Sequence, residues 1–113
     1  MSDIVISEFM DEAAVAGLGV RFSVLYDPAL VDNAEALCGA LGEARALIVR
    51  NRTRVTAPLL TAAPHLEVVG RLGVGLDNID MAACRARGLQ VFPATGANDQ
   101  AVAEYVIAAA LLL

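Results

Sequence analysis

Five short apolar runs alternate with alanine- and leucine-rich stretches along the chain, and only a few residues separate one from the next. "DIVIS" (3–7), "VRFSVLYD" (20–27), "ALIV" (46–49), "LEVVGRLG" (66–73) and "LQVFP" (89–93) read as strands. Between them "FMDEAAVAGLG" (9–19), "PALVDNAEALCGALG" (28–42), "APLLTAA" (57–63) and "MAACRARG" (81–88) read as helices. Their ends carry matching punctuation. Gly19 and Gly42 close two of them, Pro28 sits near a start, and Thr56 and Asp80 stand where N-caps belong. "ALIV" is wholly apolar, as expected for a central parallel strand buried on both faces.

Strand–helix alternation with such short links calls for a parallel sheet, right-handed crossovers and helices on both faces. The predicted fold class is therefore α/β, a flavodoxin-like five-stranded parallel sheet in the order 2-1-3-4-5. Periodicity sets the class; the order is a choice among doubly wound sheets. A last helix opens at Asn98 or Asp99 and runs to Leu113. "DQAVAEYVIAAALLL" has almost no polar face, and a helix apolar all round has to be covered on all sides. Its apolar run, about a dozen residues, falls short of the roughly 20 that span a bilayer, so no membrane partner is expected. A small domain does not easily enclose such a helix. It reads as an apolar inter-domain segment that packs on a second body.

Composition narrows the function. A chain of 113 residues with 58% hydrophobic content makes one domain with a modest core and is too apolar to be disordered. The formal net charge of −5 argues against a nucleic-acid partner, which needs clustered cations. All eight basic residues are arginines, and acids crowd into the first 49 residues. That surface is read as genome composition or a salty habitat rather than as a functional signal. The start "MSDIVISEF" has no basic n-region, so a cytoplasmic setting is expected. Cys38 and Cys84 lack metal-ligand spacing and read as small buried or half-buried residues, so no metal is expected. His65, after Pro64, reads as a solvated loop residue.

Two loops carry the chemistry. "VVGRLGVGLDNID" (68–80) has the glycine content of a dinucleotide fingerprint but not its spacing. Asn78 stands where the third glycine belongs, and Asp77 would face a phosphate. Starting the frame at Gly70 fails as well. Gly73-Val74-Gly75 at a strand's carboxyl end can instead turn two consecutive N–H groups into one concavity, a nest for a small anion such as a carboxylate. A plain tight turn explains the spacing equally well. The third strand ends in "RNRTRV" (50–55), where Arg50, Arg52 and Arg54 alternate. Such a triplet is often only a solvated face. Both loops, however, leave the same edge of a sheet in which strands three and four are neighbours. Arginine offers planar, bidentate recognition of carboxylate, phosphate or sulfonate, and this edge is the place for an anionic ligand.

The strings "ALIVRNRTRV", "LEVVGRLGVGLDNIDMAACRARGLQVFPATGAN" and "AVAEYVIAAALLL" together resemble the D-isomer-specific 2-hydroxyacid dehydrogenase family, in its amino-terminal substrate-binding part. The likeness is dense from Ala46 to Leu113 and only topological before that. It implies hydride transfer between NAD or NADP and a small 2-hydroxy or 2-oxo acid, with the nicotinamide cofactor bound mainly by another domain. Gly73, Val74 and Gly75 would hold the substrate carboxylate, with Val74 also near the cofactor. Arg50, Asn51, Arg52 and Thr53 would form a substrate-side loop, and Asn98 a polar residue at the cleft. Asp99 and Val102 would lie at the nicotinamide end, although Asp99 stands where a serine is common. Glu104 reads as a structural hydrogen-bonding group toward a neighbouring domain.

The resemblance divides the chain into a substrate-binding domain, 1–97, and an inter-domain helix, 98–113. It places the catalytic Arg, Glu and His in a dinucleotide-binding domain and none of them in this chain. The 113 residues alone are therefore expected to be inactive. The arginines suggest a substrate with a second anionic group. The alternatives are a stand-alone small-anion binding or regulatory module, and a piece that forms a homo-oligomer through its terminal helix.

Overall fold

The computed structural model describes residues 2–94 and 98–111. Five parallel strands form one sheet in the order β2-β1-β3-β4-β5: β1 (Ile4–Ile6), β2 (Val24–Tyr26), β3 (Ala46–Val49), β4 (Val68–Arg71) and β5 (Gln90–Pro93). The helices are α1 (Glu12–Gly19), α2 (Ala34–Ala40), α3 (Ala57–Thr61), α4 (Met81–Ala86) and α5 (Asp99–Val106). Strand order and helix succession match the doubly wound α/β expectation.

Period-two alternation in the strands sorts the core into two layers. Val5, Leu47, Val49 and Val69 face Leu37 of α2 and Leu41 at its end, Leu59 and Leu60 of α3, and Cys84 of α4. Ile4, Ile6, Ala46, Ile48 and Val68 face Ala14 and Leu18 of α1 and Val102, Ala103 and Val106 of α5. All four residues of β3 are buried, so its apolar run is what a central strand requires.

Three local expectations are corrected. The stretch 28–42 is not one helix: Pro28–Asp32 forms a 3-10 turn, and α2 starts after Asn33. The Asp27 and Asn33 side chains take the N–H groups of Ala29 and Ala36, and each starts its own segment. Strand β2 begins at Val24, because Arg21 and Phe22 still donate to Leu18 O at the end of α1. The terminal helix widens after Val106 into a π-helical turn, Ile107–Leu111, while Leu112 and Leu113 lie outside the described residues. Helix α5 packs one face on this domain's own sheet and leaves Glu104 and Tyr105 exposed, with Tyr105 stacked on Phe92.

Gly70 is what lets α5 come so close. A Cβ there would lie 2.9 Å from Val102 Cγ1 and 3.2 Å from Val106 Cγ2. The first glycine of the loop string is thus a packing residue in β4, and Val102 is its packing partner.

Candidate functional site

Parallel strands present all their carboxyl ends on one edge, where ligands of open α/β sheets gather. Three segments meet there: Ser7 and Glu8 after β1, residues 50–54 after β3, and residues 72–78 after β4. Helix α5 begins beside them.

Residues 50–53 curl around one carboxylate. Glu8, 5% exposed, accepts the N–H of Arg50 at 2.7 Å, Thr53 at 2.9 Å and Arg52 at 3.0 Å. Burial by itself would push the Glu8 carboxyl up, but these N–H groups and the Thr53 hydroxyl together outweigh it. The group is held below its ordinary value. Ser7 Oγ and Thr53 Oγ1 share a buried hydrogen bond of 2.8 Å. On the other side Asn78 Nδ2 donates to Arg50 O at 3.0 Å and Thr53 O at 2.8 Å. The exits of the two loops then pair like strands, with Val55 N donating to Asn78 O and Asp80 N to Val55 O, each at 2.8 Å. The arginine loop is therefore pinned from both sides, and Asn78 is the tie.

The glycine turn is strained in the way only glycine accepts: Gly73 has φ +145°. Its N–H donates to Arg71 O at 2.9 Å, whereas the N–H groups of Val74 and Gly75 donate to no other described residue. The open pair is thus Val74–Gly75, one residue beyond the start of the expected nest. Arg71 lies against this turn. Its side chain is the nearest neighbour of a Cβ added at either Gly73 or Gly75. Arg71 is 8% exposed, and among the described residues its side chain makes two hydrogen bonds, both long at 3.4 Å, Nε to Asn78 Oδ1 and Nη1 to Leu72 O. Among the described residues it has no carboxylate partner. Together with Asn51, Arg54, Asp77 and Asn78 it lines a cavity of about 350 Å³.

The arginine triplet fans out. Arg50 donates to Phe9 O at 2.9 Å and to Leu72 O at 3.4 Å, the same carbonyl that Arg71 reaches, and pairs with Asp99 at 3.2 Å. Two guanidiniums thus converge on one carbonyl, and of the two only Arg50 is paired with Asp99. Arg52 pairs with exposed Asp32 at 2.6 Å. Arg54 turns toward the Arg71 cavity.

The structure brings Arg50, Asn51, Arg52, Gly73, Val74, Gly75 and Asp99 to this one edge. Several candidates also have partners within the chain. Thr53 is buried, and its N–H and hydroxyl are committed to Glu8 and Ser7. Asn98 caps α5, its Oδ1 accepting from Ala101 N at 2.9 Å. Asp99 accepts the N–H of Asp11 at 2.8 Å besides pairing with Arg50. Val102 is buried against Gly70. Val74, 65% exposed, is an apolar side chain free to meet a ligand.

Sequence reasoning missed Glu8, Arg71 and Asn78. Glu8 passed for one surface acid among many, although it directly follows a strand's carboxyl end. Arg71 is a charge inside an otherwise buried strand, and that was its signal. His65 is exposed beside Arg45 and Glu67, next to the amino ends of β3 and β4 and therefore at the opposite edge. Among the described residues no cluster of His, Cys, Asp and Glu could hold a metal ion, and no helix is long and apolar enough to cross a membrane.

Residues 5–109 match the family described as "D-isomer specific 2-hydroxyacid dehydrogenase, catalytic domain". The chain is 57% identical over 113 residues to the (S)-sulfolactate dehydrogenase of Chromohalobacter salexigens, covering all of this chain and 37% of that protein. It is 40% identical over 107 residues to a D-3-phosphoglycerate dehydrogenase of Mycobacterium tuberculosis, covering 93% of this chain and 20% of that one. Among solved structures, the 2-hydroxyacid dehydrogenase of Ketogulonicigenium vulgare superposes with a TM-score of 0.62 at 31% identity, over 80% of this chain and 29% of that one. The NAD+-bound 3-phosphoglycerate dehydrogenase of Entamoeba histolytica shares the fold, with a TM-score of 0.67 at 22% identity over 82% of this chain and 32% of that one. The chain thus spans well under half the length of these relatives.

Proposed function

The chain belongs to the D-isomer-specific 2-hydroxyacid dehydrogenase family, and on that premise we propose that it is the substrate-holding half of such an enzyme. The observation that carries this reading is the turn at Val74–Gly75. Two N–H groups without partners among the described residues lie beside a buried arginine that forms no ion pair with any described carboxylate. A carboxylate on those amides would gain charge-assisted hydrogen bonds, and Arg71 beside them raises the local positive potential.

The substrate class follows from the second guanidinium. Arg50 reaches the same carbonyl, so a ligand anchored on the glycine turn has a second guanidinium within reach of its other end. A 2-hydroxy acid bearing a second strong anion, sulfonate or phosphate, fits that pair. The relatives named for (S)-sulfolactate and D-3-phosphoglycerate act on molecules of this kind. For the first anion we assign Val74 and Gly75 with Arg71, and for the second Arg50 with Arg52.

A nicotinamide dinucleotide, NAD or NADP, supplies the hydride acceptor or donor when bound. This chain fits only its reactive end, through the exposed Val74 side chain beside the carboxylate site. Asp99 serves Arg50 rather than the cofactor. With the substrate carboxylate fixed at the turn, the carbon that exchanges hydride would be held one bond away from it. His65 lies on the wrong edge to move the hydroxyl proton. We therefore take residues 98–113 as the link to a dinucleotide-binding domain that supplies the proton donor, and the exposed face of α5 as its contact.

Steady-state kinetics of the complete dehydrogenase tests the division of labour. Arg71→Ala should raise KM for every 2-hydroxy acid about tenfold or more, since a lost charge-assisted contact is worth roughly 1.5–3 kcal/mol. Arg50→Ala should do so only for substrates with a second anion. An Arg71→Ala enzyme with unchanged KM for all substrates overturns the reading.

A further inference from the structure

The arginine loop is not held by apolar packing. Of residues 50–54, only Thr53 is buried, and its side chain bonds to Ser7. What fixes its path is polar: Asn78 on two of its carbonyls, and Glu8 on three of its N–H groups. Three N–H groups turned toward one centre make an anion nest. In this protein the nest is filled from within, by a carboxylate that lies 42 to 45 residues earlier in the chain.

We propose that Glu8 is a positioning residue for anion recognition: it fills the arginine loop's own nest and thereby fixes where Arg50 and Arg52 present their guanidiniums. This rests on the reading above, in which that loop faces the substrate's second anion. Because Glu8 occupies the backbone donors, a substrate anion is left to the side chains. Recognition then falls to guanidinium groups, which fork a sulfonate or phosphate, and a bare N–H nest open to any carboxylate is closed off. Removing Glu8 strands three N–H groups in a partly buried place. The loop must then rearrange to find partners, and the guanidiniums move with it. Glutamine in its place keeps one acceptor oxygen but turns an NH₂ toward the N–H of Arg52 or of Arg50 and Thr53.

The test uses the complete dehydrogenase with Glu8→Gln and Glu8→Asp, assayed on a sulfonated 2-hydroxy acid and on lactate. Glu8→Gln should raise KM for the sulfonated acid about tenfold or more, the loss expected when one charged contact is misplaced, and leave kcat and the lactate KM close to wild type. Glu8→Asp, which keeps the charge but retracts it by one methylene, should fall between. If Arg50→Ala raises KM for the sulfonated acid and Glu8→Gln does not, the Glu8 role is overturned while the substrate reading stands. If Arg50→Ala and Arg52→Ala have no effect either, the substrate reading beneath it falls. A measurement on the unsubstituted protein does not depend on the variants folding. The amide resonances of Arg50, Arg52 and Thr53 should shift together with one acid-range midpoint as Glu8 is protonated. Three amides that stay still, or move separately, overturn the proposal.

Discussion

Replacing Gly73 by alanine perturbs two separable things. The first is backbone: φ +145° is a region that residues with a Cβ rarely adopt, and holding one there costs about 1–3 kcal/mol. The second is steric, because the new methyl would overlap Arg71 Nη1 and the guanidinium would have to leave the turn. Arg71 would then give up its contacts to Leu72 O and Asn78 Oδ1, both already long at 3.4 Å, and its neighbours would repack. That adds roughly 1 kcal/mol, at the low end for an overpacked site. The sum, about 2–4 kcal/mol, should lower Tm by roughly 8–16 °C for a domain this size, at about 4 °C per kcal/mol. Circular dichroism melts of the chain give the number directly. A double-mutant cycle with Arg71→Ala then isolates the overlap: removing the guanidinium relieves the clash but not the strained φ. The two substitutions together should be less damaging than their sum by about 1 kcal/mol, beyond the ~0.5 kcal/mol scatter of independent sites. A Gly73→Ala melt within about 2 °C of wild type would show no strain at this φ, and strict additivity would show no overlap with Arg71.

Other consequences can be checked alongside. Gly70→Ala should destabilise by about 1–3 kcal/mol through overpacking alone, since Val102 and Val106 have to retreat from β4, and urea unfolding would report it. Acid titration should expose Glu8. Its folded value lies below the ordinary value near 4.5, so its stabilisation is complete above that pH and is lost as pH falls through the folded value. Melts of Glu8→Gln in that acid window should therefore be flatter with pH than wild type. Arg52→Ala should leave Tm within about 2 °C, because its pair with Asp32 is exposed and such pairs contribute little, so any KM change it shows reports ligand contact.

How far the sequence carried the fold follows from where its signals are local. "ALIV" between two helical stretches could be little other than a central strand, and Thr56 and Asp80 cap the helices that follow them. The break at Asn33 was harder, because alanine and leucine around it favour one helix while two side-chain caps decide for two segments. The site divided the same way. Its loops were legible from glycines and arginines at strand ends, but the groups that hold them were not. Glu8 and Asn78 act through contacts between residues far apart in the chain, which no spacing encodes. Asn78 entered the sequence argument only as a misplaced residue in a nucleotide fingerprint. Its place in the structure is the tie between two loops. Val102 shows the converse: the resemblance sets it toward the cofactor, while its packing against Gly70 is legible only in the structure.

A crystal structure of the full-length protein with a sulfonated 2-hydroxy acid bound tests the proposed anion sites most directly. The carboxylate oxygens should lie about 3 Å from the N–H groups of Val74 and Gly75, and the sulfonate on Arg50. A carboxylate seated elsewhere, with the glycine turn bare, would contradict that placement.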